Sequence, residues 1–157
     1  MKDRSTVICR RKGDVLLVRR RVRWALPGGT IRARESPLEC AHRELTEETS
    51  LELGTMTYLW QFGGLNKRHH VFLTNLDETV QASPRAQNEI RFCRWFSVSE
   101  TDGLLLSVPA RAILKLALVH HCALVGGVSV HSSVNAAGRS DLAHRLFASG
   151  HARMEPQ

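Results

Sequence analysis

Apolar and polar residues follow two different periods along this chain. Ser5–Cys9 and Val15–Val18 are β-branched and aliphatic runs separated by Lys12-Gly13-Asp14, the signature of a hairpin. Arg19-Arg20-Arg21-Val22-Arg23 extends the second strand as a polar edge, and Trp24-Ala25-Leu26 leads into a Pro27-Gly28-Gly29 loop. The period then changes. Ser36 is a good N-cap, Pro37 suits the first helical position and Glu39 completes a capping box, so a helix is expected from Pro37 to Thr49. Leu38, Ala41 and Leu45 share its core-facing stripe.

Strands are expected again at Thr55–Phe62, Val71–Leu76 and Ile90–Phe96, and a second helix at Pro109–His121 with Ile113, Leu114, Ala117 and Leu118 inward. That order implies an α/β fold with a mixed sheet between helices. From Cys122 the pattern breaks into turn-like Gly, Ser and Ala pairs, with a short helix expected at Asp141–Ala148, capped by Ser140 and ended by Gly150. One domain is expected over residues 1–121. Residues 122–157 form a C-terminal extension, either packed on the core, joined to a dimer contact or partly mobile.

The length of 157 residues and the 43% hydrophobic content suit a single core without disulfides. Cys9, Cys40, Cys93 and Cys122 have no paired or zinc-ligand spacing and read as free thiols. There is no apolar run long enough for a membrane span or signal segment, so the cytoplasm is the default expectation. The net charge is +7, and the first 23 residues hold nine Lys or Arg against Asp3 and Asp14. Such a surface attracts phosphate esters, nucleotides and nucleic acid alike. His120, His121 and His131 carry no recognisable ligand motif.

The acids narrow the choice. Glu47 and Glu48 lie about −60° and +40° from Glu44 around the first helix, so three carboxylates share one stripe without an interleaved lysine. Their repulsion becomes coordination around a hard divalent cation such as Mg²⁺ or Mn²⁺. Mg²⁺ commonly completes its shell with water and substrate phosphates, which points to phosphoryl chemistry.

The surroundings of these acids resemble a known motif. Gly29, Glu35 and Arg43-Glu44-Leu45-Thr46-Glu47-Glu48-Thr49-Ser50-Leu51 match the spacing of the Nudix box, with Ser50 where the family has glycine. Trp24–Gly28 is similar to the family's lead-in, and Glu89–Phe96 to its strand of an acid followed by aromatics. The resemblance spans roughly residues 4 to 118. It implies an α/β/α sandwich with a loop-helix-loop catalytic motif. It assigns metal binding to Glu44, Glu47, Glu48 and the Gly28 carbonyl, with Glu89 as a further ligand or base. Gly29, Glu35 and Arg43 take structural roles in the motif. Serine at position 50 is expected to cost about 1 kcal/mol or to alter the helix exit slightly.

The implied activity is Mg²⁺- or Mn²⁺-dependent water attack on a pyrophosphate bond in a nucleoside diphosphate linked to another group. Glu44 and then Glu89 are the candidate bases. Arg4, Arg19, Arg21, Arg23 and His70 are candidates for substrate binding, and Trp24, Trp60 and Phe62 are either base-stacking or core residues. Asn66, Lys67 and Arg68 occupy the region where some subfamilies carry a proline or tyrosine, which leaves a nucleoside triphosphate or modified nucleotide as the expected substrate. Two alternatives stay open: a non-catalytic module that senses nucleotide or binds RNA, and an RNA 5′-end pyrophosphohydrolase. A homodimer is a further expectation from the resemblance.

Overall fold

The computed structural model describes residues 1–64, 66–85 and 90–125, with side chains described up to residue 119. The short helix expected at 141–148, the rest of the extension beyond 125, His131 and Glu89 lie outside the described residues. Residues Met1–Cys122 form one compact unit.

Among the described residues seven strands build its sheet: β1 (Lys2–Arg11), β2 (Asp14–Arg20), β3 (Arg23–Ala25), β4 (Gly28–Thr30), β5 (Thr57–Gly63), β6 (Lys67–Asn75) and β7 (Ile90–Ser97). The main path runs β3-β2-β1-β6-β5, with β4 on β1 and β7 on β2. β1 and β6 are parallel, with Thr6 beside Val71, and the other pairings are antiparallel. The sheet is therefore mixed, and the class is α/β as expected.

Helices α1 (Pro37–Thr49) and α2 (Val108–Val125) cover the sheet through two apolar clusters. Val7, Cys9, Leu16 and Phe72 meet Ala41 and Leu45 of α1. Ile8, Val15, Leu17, Val71 and Phe96 meet Ala110, Ile113 and Leu114 of α2. The period-two alternation of Leu16 and Leu17 thus sends one side chain to each helix. No helix among the described residues is long and apolar enough to cross a membrane.

Several expectations are corrected. Arg21-Val22-Arg23 does not continue β2. Arg21 has a φ of 52°, and Arg20 pairs with Arg23, so the chain reverses there and Trp24 lies opposite Arg19. Gly28 and Gly29 are not loop but a short strand paired with Thr6 and Ser5. Leu38 is 43% exposed; it stands in the first turn of α1, where helical side chains lean back toward the N-terminus. Leu118 is 38% exposed, lying about 90° from the centre of the stripe formed by Ala110, Ile113, Leu114 and Ala117. A 3₁₀ turn at Ser99–Gly103, absent from the sequence reading, links β7 to the segment before α2.

Candidate active site

The site begins with how α1 starts and stops. Ser36 accepts from the Glu39 N–H at 3.2 Å, and Glu39 accepts from the Ser36 N–H at 2.8 Å, so the capping box forms in both directions. At the other end Ser50 adopts the left-handed conformation, φ 59° and ψ 16°, and its N–H reaches the Thr46 carbonyl. The serine thus takes up the geometry that glycine would supply more cheaply. Between these caps, the buried residues Ala41 and Leu45 fix the rotation of the helix, which brings Glu44 and Glu48 toward β4.

Two glycines allow that approach. Gly28 has a φ of 142°, and a Cβ there would stand 2.1 Å from the Ser5 carbonyl oxygen of β1. A Cβ on Gly29 would stand 1.9 Å from the Glu44 carboxyl carbon. The strand is therefore bare because backbone lies against one glycine and a carboxylate against the other.

Arginines organise the acids. Arg43 holds Glu35 through two bonds, at 2.6 and 3.0 Å, and touches Glu44 at 2.7 Å and Glu47 at 3.2 Å. Glu35 also accepts from the Arg32 N–H at 2.8 Å, tying the loop before α1 to the helix. The Arg43 guanidinium beside it and that backbone bond hold the Glu35 carboxyl at about 2. Arg43 itself is pushed up, first by its bond to Glu35. Glu47 is the outermost of the three acids, with Arg32 at 3.7 Å.

Glu48 is different. It is buried and accepts from the Gly28 N–H at 2.9 Å and from Arg20. Burial raises its carboxyl to about 7, against the opposing pull of Arg20 and the Gly28 bond. The same Arg20 nitrogen donates to the Gly28 carbonyl at 2.5 Å, and Arg4 donates to that carbonyl as well. Burial and the charge of Arg20 lower the Arg4 guanidinium.

The fit to a divalent cation follows from this sharing. A backbone carbonyl and a buried carboxylate converge on one positively charged nitrogen, with Glu44 over the adjacent Gly29. Among the described residues no three acidic, His or Cys side chains stand in metal-holding positions with the arginines so placed. The donor chemistry nevertheless suits a hard cation, being all oxygen and mostly anionic.

Of the residues singled out from the sequence, the structure brings together Gly28, Gly29, Arg4, Glu35, Arg43, Glu44, Glu47 and Glu48. Arg19 lies elsewhere, between Trp24 and Phe92, while Arg21 and Arg23 are exposed about the β2–β3 turn. His70 faces Asp3 at 3.4 Å, where Asp3 also binds Arg68 through two bonds. His69 is buried on Thr6 at 2.9 Å, and burial pushes its imidazole down to about 4. Trp24, Trp60 and Phe62 pack against the cluster under α2. Arg20 was missed in the sequence. Alternation places Arg20 on the same face of β2 as Leu16, and the structure shows that this face meets α1.

Comparison with known proteins agrees with this geometry. Residues 2–116 match the family described as the NUDIX domain. A CMP-5'-(N-acetyl-N-hydroxy-3-aminopropyl)phosphonate hydrolase of Streptomyces rubellomurinus is 32% identical over 88 residues, covering 54% of this chain and 42% of that protein. The chain thus matches less than half the length of that relative. A Nudix hydrolase family member from Chromobacterium violaceum is 30% identical with a TM-score of 0.66, over 83% of this chain and 82% of that one. The NUDIX domain of Shewanella oneidensis NrtR, complexed with ADP ribose, has a TM-score of 0.69 at 16% identity, over 77% and 88% of the two chains.

Proposed function

The chain belongs to the Nudix family of pyrophosphate-bond hydrolases, and from that premise we propose that it hydrolyses a nucleoside diphosphate linked to another group with the help of Mg²⁺ or Mn²⁺. The observation that carries the reading is the gathering of Glu44, Glu47, Glu48 and the Gly28 carbonyl around Arg43 and Arg20. Those three carboxylates and that carbonyl would hold the cation, which would supply charge neutralisation at the phosphate oxygens and a more acidic attacking water.

The chain's own residues do the rest. Arg43 bonds Glu44 and Glu47 while its two-bond partner is Glu35, so it positions the carboxylates. Arg20 and Arg4 are the cations nearest the Gly28 carbonyl and are suited to hold substrate phosphates. Glu44 is the proposed base, a contribution of about 10²–10⁴ in rate.

A nucleoside triphosphate or modified nucleotide is the proposed substrate. The Streptomyces relative, a hydrolase of a CMP-linked phosphonate, supports a nucleotidyl group as the recognised half. Release of phosphate and pyrophosphate from a panel tests this: canonical and oxidised nucleoside triphosphates, ADP-ribose, dinucleoside polyphosphates and triphosphorylated RNA. Turnover with Mg²⁺ or Mn²⁺ that chelation abolishes is the expected result. Nucleotide binding without turnover across the panel would favour the sensing module.

A further inference from the structure

We propose that the β3-β2-β7 end of the sheet is a docking surface for single-stranded nucleic acid. Trp24, Arg19 and Phe92 stand directly opposite one another across these three strands. The Arg19 guanidinium lies 5.9 Å from the Trp24 ring centre and 5.8 Å from that of Phe92. Further along the same face of β7, Arg94 covers Phe96 at 5.2 Å. Phe92 is 55% exposed. Phe92 is thus the exposed ring of this face, and beside it the Arg19 and Arg94 guanidiniums lie over the half-buried Trp24 and the buried Phe96.

The charge of this region is uncompensated. Arg19 and Arg94 on this face, and Arg21 at the adjoining β2–β3 turn, make no ion pair among the described residues, whereas Arg11, Arg20, Arg32, Arg43, Arg68 and Arg85 each do. The Arg19 Nε is buried without an acceptor. Glu100, whose charge reaches Arg94, is committed to the Ser97 N–H and hydroxyl at 2.7 and 2.8 Å. A single strand offers what this surface lacks on both counts: one phosphate per nucleotide for the arginines and an unstacked base for the aromatic plane. A duplex offers the phosphates but keeps its bases stacked, and an acidic peptide offers charge alone.

This surface is distinct from the acidic site. Arg19 and Arg20 are consecutive in a strand and point to opposite faces, Arg19 to Trp24 and Phe92 and Arg20 to Glu48. The inference does not require hydrolysis, so its test is run in chelator, where turnover is silent and failure of either reading shows separately.

The probe is a fluorescein-labelled oligouridylate of about ten nucleotides, a length in the range of known single-strand sites. Anisotropy should report binding that weakens steeply with salt. Phe92→Ala, at an exposed position, should weaken binding at least about five-fold through lost stacking. Arg94→Met should lower the salt slope by about 0.7. An unlabelled duplex of the same length should compete poorly. No binding at low salt would overturn the proposal. So would Phe92→Ala binding as tightly as the parent, or a duplex competing equally, since either reduces the surface to a general polyanion attractor.

Discussion

The Glu44 carboxylate occupies the space that a side chain on Gly29 would need, with its carboxyl carbon 1.9 Å from where a Cβ would stand. Gly29→Ala therefore displaces the end of a flexible side chain and leaves the backbone undisturbed. The expected outcome is a protein that melts close to the parent and loses about 10²-fold in turnover, the scale of a misplaced catalytic group. Melting temperature and kcat, measured on the same preparation, check both halves.

Gly28→Ala should behave in the opposite way. Its Cβ meets the Ser5 carbonyl at 2.1 Å and the Thr6 Cα at 2.9 Å, and its φ of 142° is one that alanine resists. Backbone on β1 must move, so a loss of about 3 kcal/mol or more is expected, from strain combined with a broken β1–β4 pairing. Denaturant unfolding of the two alanine variants side by side separates the glycine kept for a carboxylate from the glycine kept for the strand.

At the end of α1, Ser50→Gly removes the cost of a left-handed serine. Stability should rise by about 1 kcal/mol, or about 2–4 °C in melting temperature for a chain of this size. Activity should be unchanged, because Ser50 is exposed and, among the described residues, bonds through its backbone to Thr46. A thermal melt that fails to rise would show that the helix exit is satisfied as it stands.

Glu35 gives a pH dependence whose sign is fixed by its partner. Its folded carboxyl titrates at about 2 against an ordinary 4.5, because Arg43 holds the charged form. The contribution is present above about 4.5 and is lost as pH falls from there through 2. The parent should therefore out-melt Glu35→Gln at pH 5 and above, and the gap should close on acidification. A gap that stays constant down to the limit of folding would contradict the ion pair as its source.

Much of this was legible before the fold was known, for local reasons. Ser36, Pro37 and Glu39 act within one helical turn, and the start of α1 follows from them. The one-stripe arrangement of Glu44, Glu47 and Glu48 is a property of helical spacing alone. What the sequence hid depends on contacts between distant segments. Pro27-Gly28-Gly29 has the composition of a turn, and only the pairing of Gly28 with Thr6 makes it a strand. Arg20 sits in a run of arginines that composition cannot tell apart. Its identity as the partner of Glu48 depends on the strand ending at Arg20 and on Leu16 facing α1. Leu38 has the right helical phase for burial and lacks only something to pack against.

Glu48 carries the central claim, since its buried carboxylate joins β4 to α1 and meets both Arg20 and the Gly28 N–H. The most direct measurement is metal-dependent turnover of the best nucleotide on the panel, parent against Glu48→Gln, with Mg²⁺ and Mn²⁺ titrated and folding checked by circular dichroism. The account predicts a folded variant whose kcat falls by at least about 10²-fold and is not restored by raising the cation concentration. A folded variant that turns over at the parent's rate, or a parent indifferent to chelation, would contradict it.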